Sequence, residues 1–113
     1  MNSDPFDGDS VRGAAQQLLT AHRVIDPAPA SEGAVEAARV QGGPNLTHRG
    51  DPRFDTADFG EPAPGNLRVD YAVPSKPMQV VGSGVFWPLA ADPLARLNDA
   101  SDHHATWVDL RVR

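Results

Sequence analysis

The sequence predicts an α/β chain that makes up one half of a layered sandwich. Three observations carry this expectation. An apolar stripe at helical spacing lies near the N-terminus, a weaker helical stretch follows between a serine and a glycine pair, and three later runs alternate apolar with polar residues. In the order helix, weak helix, long loop and three strands, one good helix is too little to cover the apolar face of the sheet. The pattern therefore reads as part of a sandwich and not as a closed one.

The first stretch, 1–9, is rich in Asp, Pro and Gly and reads as a loop. Ser10 is placed to cap a helix over about 11–20, because Val11, Ala14, Ala15, Leu18 and Leu19 share one face. Asp26-Pro27-Ala28-Pro29 cannot continue it. Ser31 caps a second helix running through Ala38 and ending at Gly42-Gly43. From Pro44 to Gly65 no periodicity holds, and so long a loop in so short a chain is expected to border a site. Leu67, Val69, Tyr71 and Val73 then alternate with Arg68 and Asp70, a strand that Pro74 ends. A second strand is expected over 78–86, with Gly82 and Gly84 marking a bulge. After a connection with a helical turn near 93–97, a third strand over 106–112 should turn Val108, Leu110 and Val112 inward.

Composition narrows the function classes. Leu, Ile, Val and Phe make up about a fifth of the 113 residues, so the core is thin, and 10 Gly with 11 Pro imply many loops. The net charge of −5 argues against a basic stripe of the kind that grips nucleic acid. It leaves room for a nuclease, since a metal offsets carboxylates locally. There is no cysteine, which removes zinc–thiolate sites, disulfides and a thiol nucleophile. No apolar run approaches the roughly 20 residues of a membrane span. The opening Met1-Asn2-Ser3-Asp4-Pro5 lacks the pattern of a signal peptide.

The chemistry concentrates in Asp70, Asp102 and His103. Asp70 lies on the polar face of its expected strand, and Ser101-Asp102-His103 directly precedes the last one. If those strands are neighbours, Asp70 accepts a hydrogen bond from one ring nitrogen of His103. That bond fixes the tautomer and favours an imidazolium suited to a phosphate or its transition state. Asp102 points the opposite way, free to hold a divalent metal directly or through water. The plainer alternative is that Ser-Asp is turn chemistry and the Asp-His pair ordinary surface.

Other candidates read more plainly. His104 is expected to face solvent, and His22 and His48 have no partners at ligand spacing. Asp4, Asp7 and Asp9 resemble a calcium loop without its closing glutamate. Trp87 and Trp107 suit packing, Arg68 suits an ion pair with Asp70, and Asp55 and Asp58 fall in a loop where they could line a substrate cleft.

Taken together, these residues resemble the endonuclease/exonuclease/phosphatase superfamily of DNase-I-like phosphoesterases. Ser101-Asp102-His103 before a closing strand is similar to its terminal Ser-Asp-His motif. Leu67-Arg68-Val69-Asp70-Tyr71 is similar to its strand motif of Arg, an apolar residue, Asp and Tyr. Met1-Asn2-Ser3-Asp4-Pro5 looks like the tail of its Gly-Asp-x-Asn motif, and Gly65-Asn66 and Gly84-Val85-Phe86-Trp87-Pro88 look like bacterial members. The resemblance spans essentially the whole chain.

It implies the C-terminal half of a DNase-I-like layered α/β sandwich, mainly antiparallel strands with one or two helices. It also implies metal-dependent hydrolysis of a phosphoester, with water attacking phosphorus. His103 would contact the scissile phosphate, Asp70 would orient His103, Asn2 would position the phosphate or the water, and Asp102 would help bind Mg²⁺, with Mn²⁺ or Ca²⁺ as substitutes. The Asp of Gly-Asp-x-Asn, the upstream Asn and Glu that bind metal, and a second histidine have no counterpart in 1–113. The expectation is therefore a partial domain that needs a missing N-terminal half and is inactive alone. The alternative is a non-catalytic remnant or interaction module that pairs with another chain through a sheet edge. Nucleic acid, phospholipid and small phosphoesters all remain open as substrates.

Overall fold

A computed structural model describes residues 1–60 and 62–112. The chain is a mixed α/β fold in which two α-helices precede short antiparallel ribbons. Helix α1 spans Arg12–Leu19 and α2 spans Glu32–Gln41. Strand β1 (Ala57–Asp58) pairs with β2 (Asn66–Leu67), and β3 (Gln79–Val85) pairs with β4 (Thr106–Arg111). Turns of 3₁₀ helix fill Gly43–Leu46, Pro52–Phe54 and Ala95–Ala100. The smallest extent, 19 Å against 42 and 34 Å, leaves room for about two packed layers.

Both helices follow their sequence signals. The Ser31 hydroxyl accepts from the Ala34 N–H and starts α2, Glu32 and Arg39 sit at the dipole-favoured ends, and Gly42 closes the helix at a positive φ of 67°. For α1 the cap differs from expectation: Val11 occupies the N-cap and no side chain bonds there. Of its apolar face only Ala15 is fully buried, and Val11 is exposed.

Two small apolar clusters replace a single core. Ala34, Val85 and Trp87 form one, with Ala37 against it. Ala57, Leu67 and Val69 form the other, with Phe59 against it. Close approach substitutes for apolar mass. A Cβ on Gly33 would stand 1.8 Å from the Trp87 carbonyl oxygen, so α2 sits directly on that backbone. On the ribbon, a Cβ on Gly84 would stand 2.8 Å from the Trp107 ring, which lies across its neighbouring strand.

Three strand expectations need correction. The run 67–73 ladders only at Asn66–Leu67, because its next donors go to side chains. The N–H of Arg68 donates to Asp4 Oδ2, and those of Val69 and Asp70 donate to Thr56 Oγ1. With these donors taken, no neighbouring strand can continue the ladder. In β4, Val108 is half-buried, whereas Leu110 is exposed and Val112, just beyond the strand, is 91% exposed, since no layer among the described residues covers that end of the ribbon. Finally, 44–65 is not featureless: it contains β1, the central element of the site. The bulge is where the glycines placed it, as a register shift between Val80 and Gly82.

Arg68 pairs with Asp26 and not with Asp70. Its guanidinium Nη1 donates to Asp26 Oδ2 at 3.0 Å and its plane lies over the rings of Phe54 and Tyr71. Replacing Gly33 with alanine is expected to cost about 1–3 kcal/mol or more, because the displaced atoms are backbone. Urea unfolding checks this, and an unchanged midpoint would contradict the contact.

Candidate active site

The sequence reading brings Asp70 to His103, which precedes the last strand, only if their two strands are neighbours. They do meet, but by another route. The N–H of Asp58 donates to the Asp102 carbonyl at 2.8 Å, and Ala57 bridges His103 across an antiparallel step. Because β1 also pairs with β2, it lies between the segment that bears His103 and the segment that leads to Asp70. Asp70 Oδ2 lies 2.8 Å from His103 Nδ1. A carboxylate has no proton to give, so the ring nitrogen donates and Nε2 is left as the free one. The Phe59 ring meets the His103 ring edge-on at 5.5 Å, a second restraint on its plane. Both side chains are about one-third exposed.

The pair opens onto a depression of about 510 Å³ lined by Met1, Asp70, Tyr71, Ala72, His103, His104, Ala105 and Thr106. Asn2 is exposed beside Met1, and no hydrogen bond joins it to Asp70 or His103. Tyr71 anchors the N-terminal segment here: its hydroxyl lies 2.6 Å from the carbonyls of both Ser3 and Arg68. Burial, reinforced by Asp4, raises the Tyr71 phenol above its ordinary range.

Asp102 is exposed, and its backbone carbonyl holds β1. Among the described residues, no three His, Asp or Glu side chains converge as a metal centre. Asp102 offers one oxygen donor group, of the kind a largely hydrated Mg²⁺ accepts, but it does not make a centre by itself. The Asp4–Asp9 loop is not a calcium site in waiting. Asp4 accepts from the N–H groups of Phe6, Asp7 and Arg68, and Asp7 accepts from those of Arg49 and Gly50.

Several residues fall elsewhere than expected. His104 is buried, not exposed; its ring stacks on Trp87 at 3.7 Å and 10°. That burial holds its imidazole below the ordinary value. Asp58 accepts from the Gln41 amide and the Gly60 N–H. Asp55 faces a crevice of about 20 Å³, room for a water and not for a substrate. Thr56 and Phe59 escaped notice, because the two-residue strand they flank is too short to show a period; Tyr71 reads in the sequence only as part of the strand alternation and the family motif, not as an anchor of the N-terminal segment.

A model of the endonuclease/exonuclease/phosphatase family matches residues 1–103. The chain belongs to that family. The matched span ends on His103 and so contains Asn2, Asp70 and Asp102 as well. Comparison with curated proteins and with solved structures returned no match.

Two titrations follow from the burial of Asp55 and His104. Burial, then the charges of Asp4, Asp7 and Asp51, push the Asp55 carboxyl from its ordinary 3.8 up to about 8. The folded chain keeps this proton where the unfolded chain loses it. Its stabilising contribution is therefore full below about pH 4 and declines as pH rises towards 8. Asp55→Asn, neutral throughout, should flatten that decline; denaturant midpoints at pH 5 and pH 8.5 measure it. For His104 the sign is opposite. Its folded value is depressed, so its contribution is present above the unfolded value of 6.5 and lost as pH falls below it. His104→Phe, which keeps an aromatic ring on Trp87, should remove that acid-side loss in the same measurement; an unaltered acid limb would mean His104 is not its source.

Proposed function

We propose that the chain carries the histidine–aspartate portion of a metal-dependent phosphoester hydrolase site, in which water attacks phosphorus. The supporting observation is the 2.8 Å bond between His103 Nδ1 and Asp70, set at an open depression within the family-matched residues. In this reading Asp70 orients the ring through Nδ1. His103 Nε2 then meets a phosphoryl oxygen, donating a hydrogen bond when protonated and accepting the proton of the attacking water when neutral. Asn2, next to the lining residue Met1, positions the phosphate or the water. Asp102 contributes one carboxylate to Mg²⁺, and Mn²⁺ or Ca²⁺ would accept the same oxygen ligand. Such an ion would draw charge from the phosphoryl oxygens.

The architecture proposed for 1–113 is the C-terminal half of a DNase-I-like layered sandwich. In support, both ribbons have two strands each and β4 leaves apolar residues uncovered. The lack of a three-ligand cluster among the described residues is consistent with a site finished by residues from another stretch of polypeptide. With Mg²⁺ and bis-p-nitrophenyl phosphate, the 113-residue chain is expected to turn over at or near the uncatalysed rate. Dimethyl phosphate should nevertheless shift the His103 ring resonances saturably. No response of His103 with or without Mg²⁺ would count against the phosphoesterase reading. Fast turnover, lost at least about 10²-fold in His103→Ala, would instead refute the incompleteness.

A second reading, a non-catalytic module that pairs with another chain, draws on the same uncovered ribbon. An apolar cleft of about 290 Å³ lies there, lined by Pro77, Met78, Gln79, Leu110, Arg111 and Val112. Its partner would be a β-strand added to the ribbon edge. Light scattering that finds a monomer at every concentration, with no binding to an upstream-encoded segment, would sink it.

A further inference from the structure

We propose that Thr56 is the positioning residue that holds Asp70 on His103. Three segments cross at this residue, which is 1% exposed. Its N–H donates to the Leu67 carbonyl at 2.9 Å. Its own carbonyl accepts from the His104 N–H at 2.8 Å, one residue beyond His103. Its hydroxyl oxygen accepts from the Val69 N–H at 3.0 Å and the Asp70 N–H at 2.9 Å. The side chain thus grips the backbone of Asp70 while the main chain grips the segment of His103. The distance between the two is set by one residue.

A β-ladder would not do the same. Ladder pairing of 68–70 would fix strand direction and alternate the side chains across two faces. Two adjacent N–H groups on one oxygen instead turn the backbone at Val69–Asp70 away from a ladder, with Val69 in the apolar cluster and Asp70 at the depression. Among the described residues, no other hydrogen bond ties the Asp70 backbone to the His103 side of the depression. The inference rests on the phosphoester reading only for its catalytic meaning; the geometry it concerns is independent of turnover.

The test reads the ring itself. In the wild-type chain, ¹⁵N–¹H correlation of the neutral His103 ring should report mainly the Nδ1–H tautomer, because Asp70 accepts there. Thr56→Val keeps the shape and removes the acceptor. The Nδ1–H population should then fall below half, as the ring reverts to the Nε2–H form that free imidazole side chains prefer. Thr56→Ser keeps the oxygen and should restore the wild-type signature. Leu67→Ala loosens the same cluster without touching the hydroxyl, and should lower stability but leave the tautomer alone. Should Thr56→Val not fold, Thr56→Cys takes its place, near-isosteric with serine and a far weaker acceptor. An unchanged tautomer in the folded Val or Cys variant overturns the proposal, and so does an equal change in Leu67→Ala. Failure of phosphodiester binding with the tautomer pattern intact would reject the function and leave the positioning role standing.

Discussion

The fold depends on buried side-chain oxygens accepting backbone N–H groups from distant segments. Thr56 and Asp4 are the two that matter most. Asp4 takes the N–H groups of Phe6, Asp7 and Arg68, which closes its own loop and fastens that loop to the stretch before Asp70. Thr56 takes the next two donors along that stretch. Three consecutive N–H groups are thereby satisfied without a strand partner. Leaving any of them buried and unpaired would cost about 1–3 kcal/mol each, a large share of the stability of a small domain. The chain can make its site in an irregular segment because these two side chains replace a ladder.

Close backbone approach does the rest. The two apolar clusters are small, and neither has the mass to hold a layer in place alone. Gly33 lets α2 rest against the Trp87 carbonyl, and Trp87 in turn stacks on His104. The helix is thus connected to the residue after His103 through two contacts. The pair Asp26–Arg68 acts similarly from the other side, tying the link between the helices to the segment before Asp70, with the guanidinium over the Phe54 and Tyr71 rings. A bidentate, mostly buried pair of this sort specifies an arrangement more than it adds net stability.

Much of this was legible in the sequence where a period or a cap extends over a turn or more. The start of α2 at Ser31, its end at Gly42 and the bulged β3 follow from such signals. That Asp70 could orient His103 was legible from residue type and position, on the condition that their strands were neighbours. What brings the two together was not. The alternation of Leu67, Val69, Tyr71 and Val73 is what an ordinary strand shows, and periodicity cannot report that Asp4 and Thr56, 64 and 13 residues away, will claim its donors. Arg68 was misread for the same reason: as the outward side of a strand it would sit beside Asp70, but in an irregular segment it is buried and reaches Asp26. The ribbon end at Leu110 and Val112 failed differently. Alternation predicts a buried face, yet whether a second layer lies over it is not a local property of the strand.

The adjacent histidines show how backbone direction separates chemistry from architecture. Successive residues in an extended segment point to opposite sides, so one of the two must face inward wherever one layer is buried. His104 turns in and stacks on Trp87, where burial holds its imidazole below the ordinary value. His103 turns to the depression, where Asp70 takes one ring nitrogen and leaves the other free. Burial works against protonating the inner ring, whereas the outer ring has a carboxylate as its hydrogen-bond partner. The two rings are consecutive in the chain, yet one faces the depression and the other the packing around Trp87. That separation holds only while the Thr56 carbonyl keeps the His104 N–H, because a shift of one residue in this segment would exchange the two rings.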